Sequence, residues 1–133
     1  MEKAIQFVYN TSRLFERGVL FYENNGLRAI YVYMKRETFI SGIYDSITPY
    51  GYGGVLFEGD ISTEKLNAFW NDYVQKMNEE NIIDNFVRYH PMIFNAIPMK
   101  EISNVIDLGK TIAMDLSSPE IIWENIHSKN RNM

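Results

Sequence analysis

The chain has 133 residues, enough for one domain or part of a larger protein and too few for two independent cores. Hydrophobic residues make up 46% and charged residues 23%, with 9 Tyr, 8 Phe and 2 Trp to fill a core, which excludes a disordered chain. A net charge of -4, with acids and bases mixed along the length, gives no electrostatic footprint for nucleic acid or an anionic bilayer. The absence of cysteine excludes disulfide scaffolds, thiolate metal sites and a cysteine nucleophile. Met1-Glu2-Lys3-Ala4 leads into no apolar run of signal-peptide length, and no stretch approaches the ~20 apolar residues that span a bilayer, so a soluble, cytoplasmic protein is expected.

Ile5, Val8, Tyr9, Ser12 and Phe15 recur at spacings of three and four, with Glu2, Lys3, Arg13 and Arg17 elsewhere. This predicts an amphipathic helix over residues 2–17, ended by Gly18. Val19 to Glu23 and Leu27 to Arg36 flank Asn24-Asn25-Gly26, a hairpin signal because Asn-Gly tolerates the positive φ of a type I′ turn. In the second arm Leu27, Ala29, Tyr31 and Tyr33 share one face and Arg28, Ile30, Val32 and Met34 the other. Only Arg28 is charged on the second face, so both are expected to be largely covered.

A third strand is predicted over Phe39 to Tyr44, before the irregular Gly-rich segment Thr48 to Gly54. Asp60, Ser62 or Thr63 then caps a helix over residues 63–80, whose Leu66, Phe69, Trp70, Tyr73, Val74 and Met77 follow the helical template. Ile82 to Tyr89 reads as a strand stopped by His90-Pro91, because the residue before proline is pushed away from helical torsions. After a loop around Asn95 to Pro98, Val105–Leu108 and Thr111–Leu116 read as a second hairpin turning at Gly109-Lys110. Ser117-Ser118-Pro119-Glu120 starts a helix over residues 118–131 that carries Ile122, Trp123 and Ile126 inward. The pattern predicts a single α/β domain of the α+β kind, a mixed and largely antiparallel sheet flanked by about three helices.

Gly109-Lys110-Thr111 resembles the end of a phosphate loop, but Asn104 stands where that loop requires glycine, and a hairpin turn is the better reading. His90 and His127 are the only histidines, and only Glu124 lies at helical spacing from either, so no metal site is expected. Asn10-Thr11-Ser12 matches a glycosylation pattern that has no meaning without a secretory signal. Thr48-x-x-Gly51-x-Gly53 nearly copies the loop with which N-acetyltransferases cradle a coenzyme pyrophosphate. However, position 48 is Thr, and strand-like Val55-Leu56-Phe57 delays the next helix amino terminus, which argues against a coenzyme there. Gly51, Gly53 and Gly54 interleaved with Tyr50 and Tyr52 suit a sugar or peptide, with backbone amides accessible and flat aromatic faces beside them. The residues alone favour the alternative of an aromatic turn packed on the core.

Three strings occur in order. They are Tyr44-Asp45-Ser46-Ile47-Thr48-Pro49-Tyr50-Gly51-Tyr52-Gly53-Gly54, then Phe86-Val87-Arg88-Tyr89-His90-Pro91 after a helix with Phe69-Trp70, and then Ala113-Met114-Asp115-Leu116, Ile122-Trp123 and Lys129-Asn130-Arg131-Asn132-Met133. Together, over roughly residues 19–133, they resemble the amino-terminal half of Fem-type acyltransferases, the GNAT-related family of peptidoglycan-bridge aminoacyltransferases and methicillin-resistance proteins. The resemblance implies a GNAT-like subdomain, followed in the complete protein by a second subdomain that carries most of the acyl-donor pocket. It also implies transfer of an acyl or aminoacyl group to a primary amine of a small molecule or peptidoglycan precursor. The donor would be acetyl-coenzyme A or an aminoacyl-tRNA, and the chain by itself would hold no cofactor and be inactive.

Under that reading His90 is the candidate base, and Arg88 pairs with a phosphate or carboxylate. Tyr50, Gly51, Tyr52, Gly53 and Gly54 shape an acceptor groove, with Lys129 and Arg131 as further binding candidates. Each has a plainer reading. His90 serves as a hydrogen-bonded turn residue, Arg88 as the partner of Glu58 or Asp84, and Lys129 and Arg131 as a solvated helix end. Two other classes stand beside the enzyme: a non-catalytic module that presents a groove to the acceptor or packs against a missing C-terminal subdomain, and a stable domain whose exposed apolar face forms a homodimer.

Overall fold

The computed structural model describes residues 4–12 and 15–126, with side chains described from residue 16 onward. The fold is α+β. Six strands form one sheet in the order β1 (Ala4–Ser12), β2 (Phe15–Asn24), β3 (Leu27–Glu37), β4 (Tyr44–Ile47) and β6 (Ile82–Phe86), and β5 (Leu56–Gly59) also pairs with β3. Every pairing is antiparallel except β4 with β6. The helices are α1 (Thr63–Glu79), α2 (Ala96–Met99) and α3 (Pro119–Asn125).

The helix expected over residues 2–17 does not form among the described residues of that span. Residues 4–12 instead pair antiparallel with β2, from Ala4 opposite Glu23 to Ser12 opposite Phe15. The same residues also alternate with period two, and the β-branched and aromatic Ile5, Phe7, Val8, Tyr9 and Thr11 favour a strand. Gly18 therefore ends nothing. It sits mid-strand opposite Tyr33, whose buried ring lies where a Cβ at Gly18 would be. Gly18→Ala should cost about 1–3 kcal/mol by overpacking, read as a lower urea midpoint. A loss below about 0.5 kcal/mol, the size of an ordinary surface change, would show that the ring moves aside freely.

The Asn-Gly hairpin forms as expected, with Asn25 at φ 48 and Gly26 at φ 83. Leu27, Ala29, Tyr31 and Tyr33 are buried, but the opposite face of β3 is open to solvent, not covered. The strand expected from Phe39 is a turn up to Ile43. Gly42 takes φ 78, and the Glu37 carboxylate accepts the Gly42 amide at 2.9 Å, so local turn chemistry displaces the ladder.

Helix α1 lies on the inner sheet face and buries Leu66, Phe69, Tyr73 and Met77, the last three in one core cluster with Leu20, Tyr22, Leu27 and Tyr31. Trp70 is half-buried and stacks on Tyr73, while Val74 is exposed. Ser62 occupies the N-cap position without a side-chain bond. Asn85 on β6 joins three inner hydroxyls: its Oδ1 accepts from Tyr31 at 2.7 Å and Ser46 at 2.8 Å, and its Nδ2 donates to Tyr73.

The hairpin expected over residues 105–116 does not form, and the segment runs without a ladder partner among the described residues. In α3 the Ser118 hydroxyl accepts the Ile121 amide at 3.2 Å, a working cap with Pro119 in the first turn. Trp123 does not point inward; it is 54% exposed. The rest of the expected 118–131 helix, with His127, Lys129 and Arg131, lies outside the described residues. No described helix is long and apolar enough to cross a membrane.

Candidate functional site

The two candidate motifs meet at one end of the parallel β4/β6 pair, where both chains leave the sheet side by side. The Thr48 amide donates to the Phe86 carbonyl at 3.1 Å, and the Arg88 amide to the Thr48 hydroxyl at 3.4 Å. The Gly53 amide donates to the Arg88 carbonyl at 2.9 Å, and Gly53 bridges Tyr89 in parallel register. The Tyr-Gly segment is thus laid along the continuation of β6 and does not hang free.

Asn95 locks this arrangement. Buried at 7% exposure, it donates through Nδ2 to the carbonyls of Gly53 (2.9 Å) and Val55 (3.5 Å), and it accepts the His90 amide at Oδ1 (3.1 Å). A single amide side chain satisfies backbone groups from both strings, groups that would be costly to bury unpaired. Phe94 takes φ 54 immediately before it, a conformation that bulky residues rarely adopt and that signals a backbone held by its surroundings. Sequence reasoning placed Asn95 only in a loop. Its one local signal is a polar residue in an otherwise apolar run, Met92-Ile93-Phe94-Asn95-Ala96-Ile97.

Gly54 is the glycine that this packing requires. At φ 101, its position leaves a Cβ 2.7 Å from the Tyr89 ring and 3.0 Å from Asn95 Nδ2. Gly51, at φ 98, faces open space. Tyr52 is half-exposed and meets the His90 ring edge-on, centroids 5.3 Å apart, while Tyr50 is fully exposed and Arg88 stands in solvent. Glu58, one partner considered for Arg88, pairs instead with Arg28 at 3.5 Å, opposite it in the β3/β5 register. The Tyr89 hydroxyl beneath the site is held above the ordinary phenol range by burial, opposed by its hydrogen bond with Ser103.

His90 is a hydrogen-bonded turn residue here: its Nδ1 accepts the Met92 amide at 3.1 Å. The neutral ring must then carry its hydrogen on Nε2, so it presents a donor, and accepting a proton at Nδ1 requires breaking the Met92 bond. Tyr52, Gly53, Gly54, Arg88 and His90 are therefore brought together, Tyr50 and Gly51 form the exposed lip, and Lys129 and Arg131 lie outside the described residues.

After Gly54 the chain enters β5, and the next helix along the chain, α1, begins only at Thr63. A separate cleft of about 110 Å³, between Tyr22, Asn24, Asn25, Glu64, Lys65 and Ala68, is smaller than the ~300 Å³ of a small-ligand pocket. Among the described residues, no cluster of three or more His, Asp or Glu side chains is placed to hold a metal ion. The site offers an aromatic face, an imidazole donor and an exposed guanidinium on a hydrogen-bonded shelf, a set suited to a peptide-like or carboxylate-bearing molecule. Comparison with protein-family models, with curated proteins and with solved structures finds no match to this chain.

Proposed function

We propose that this chain forms the acceptor side of a Fem-type, GNAT-related acyltransferase, a protein that moves an acyl or aminoacyl group from a thioester or ester to a primary amine. The observation that carries this reading is the Asn95 lock, which holds the Tyr-Gly segment against the Arg88–His90 string and so joins the two motifs that resemble the family. The Tyr52 and His90 rings receive the flat parts of a peptide acceptor, and Arg88 receives a carboxylate or phosphate of a cell-wall precursor. Acetyl-coenzyme A or an aminoacyl-tRNA binds outside this shelf. In the transfer itself the amine must be deprotonated and the carbonyl oxyanion stabilised, each effect worth orders of magnitude in rate.

The engaged Nδ1 of His90 favours a second reading of the same shelf as an acceptor-binding module that leaves proton transfer to another group. Titrating isotope-labelled chain with a peptidoglycan stem peptide bearing a free side-chain amine tests the shelf. Amide shifts are expected at residues 50–54 and 88–95. Arg88→Ala, at an exposed position, should weaken binding about tenfold, equivalent to ~1.4 kcal/mol, the scale of one charge-assisted hydrogen bond. Shifts confined to other surfaces would sink both readings. Acyl transfer catalysed by the isolated chain with acetyl-coenzyme A would overturn the placement of the donor elsewhere and exclude the purely binding reading.

A further inference from the structure

The outer sheet face, away from α1, is apolar, and no described helix or strand covers it. The register places Val19 beside Val32, Phe21 beside Ile30, Ile30 beside Leu56, and Ile47 beside Phe86. Phe21, Ile30, Val32, Leu56 and Phe86 are each between 39% and 61% exposed. A row of neighbouring half-exposed aromatic and aliphatic side chains is unlike the scattered apolar residues of an ordinary surface.

A second apolar surface lies in the segment 106–116. Ile106, Leu108, Ile112, Met114 and Leu116 occupy alternate positions and are between 46% and 92% exposed, while Asp107, Thr111 and Asp115 fall between them. That alternation belongs to a strand with one covered face, and among the described residues nothing covers it. The root of the segment is anchored on the helix side of the sheet. Ile102 and Val105 pack on the core, and Lys100 holds both carboxylate oxygens of Asp107 at 2.9 Å. Within one chain, the apolar row therefore starts on the side of the sheet opposite the apolar face.

We propose that two copies of this chain associate by exchanging these segments, each 106–116 stretch lying across the outer sheet face of the other. A two-fold arrangement covers both surfaces at once, because each copy supplies one face and one strap. The eight outer-face residues (those in the register above, with Met34) and the eleven of the strap bring the contact close to the roughly 20–30 residues per side of a stable interface. Charge agrees. Lys110, the one charged residue in the apolar row, meets a face at one end of which Glu23 and Glu58 flank Arg28, two acids to one base, with Glu58 paired to Arg28. This association does not depend on the acyl-transfer reading.

The chain has no cysteine, so single cysteines report contacts without background. Leu108 is 92% and Val32 44% exposed, so Leu108→Cys and Val32→Cys leave the core intact. Mixing the two variants, one carrying a tag, under mild oxidation should yield a cross-linked tagged–untagged pair. The unmodified protein should elute at twice its 15.6 kDa mass, and Leu108→Lys/Ile112→Lys should elute as a monomer with unchanged circular dichroism. The proposal is overturned by a wild-type protein that stays monomeric, by failure of the mixed pair to cross-link, or by a dimer that survives both lysines. It is equally overturned if a Val32→Cys/Leu108→Cys double variant closes its disulfide within one chain, which would show the strap folding back on its own face.

Discussion

Replacing Asn85 with leucine should cost about 3–5 kcal/mol of folding stability and lower the melting temperature by roughly 10–20 °C. The side chain is the shared partner of the Tyr31, Ser46 and Tyr73 hydroxyls, and Tyr31 and Ser46 are fully buried with Tyr73 at 4% exposure. Leucine keeps the branched shape but leaves these groups facing an apolar surface, and each unsatisfied buried polar group costs ~1–3 kcal/mol. Asn85→Asp separates the two contributions, since it keeps the two accepted bonds and loses the donated one, and it should fall between leucine and the parent. If leucine is as stable as asparagine in urea unfolding, the hydroxyls have other partners and this account of the inner face is wrong.

The same network sets an alkaline limit. Burial pushes the Tyr31 and Tyr73 phenols up from their ordinary range, with the hydrogen bonds to Asn85 opposing the shift. Above pH ~10 unfolded tyrosine releases its proton while the folded residues keep theirs, so the folded state binds more protons and stability falls as pH rises. Below that value the two groups contribute no pH dependence. Melting temperature should accordingly be insensitive to these groups between pH 7 and 9 and decline beyond about pH 10.

Phe69→Ala should remove about 3–5 kcal/mol, the usual cost of truncating a large core aromatic. The ring is fully buried and meets Tyr22 and Phe57 edge-on at 5.1 Å, with Tyr73 tilted at 5.8 Å. Deleting it opens a cavity at the contact between α1 and the sheet, where the surrounding rings are held by backbone on three elements and relax only partly. Phe69→Leu should lose markedly less. The discriminating measurement is the urea midpoint at unchanged slope; a loss under 1 kcal/mol would mean that α1 repacks freely.

Phe69 and Asn85 differ in how far sequence alone discloses them. Phe69 falls on a run whose spacing of three and four declares a helix face before any partner is known. Asn85 sits in a strand pattern where an asparagine reads as a neutral polar position. Its importance comes from Tyr31 and Ser46, 54 and 39 residues away in the chain. The site divides in the same way. The glycines, tyrosines, Arg88 and His90 stand out as two strings, yet the side chain that joins them, Asn95, reaches 42 residues back to Gly53.

The strand expected over Ile82 to Tyr89 ends already at Phe86, opposite Ile47 where its partner β4 ends, so the end of the ladder and not His90-Pro91 stops it. By itself, the amino-acid order determined the features that close within a few residues: the Asn25-Gly26 hairpin, the buried stripe of α1 and the serine cap of α3. Each rests on a torsion preference or a periodicity shorter than one element. Tertiary structure alone decided that residues 4–12 are a strand, because their spacing satisfies both periods and only the ladder offered by β2 selects between them. It likewise decided that 106–116, though patterned as a strand, remains unpaired among the described residues, because a strand needs a neighbour and alternation cannot supply one.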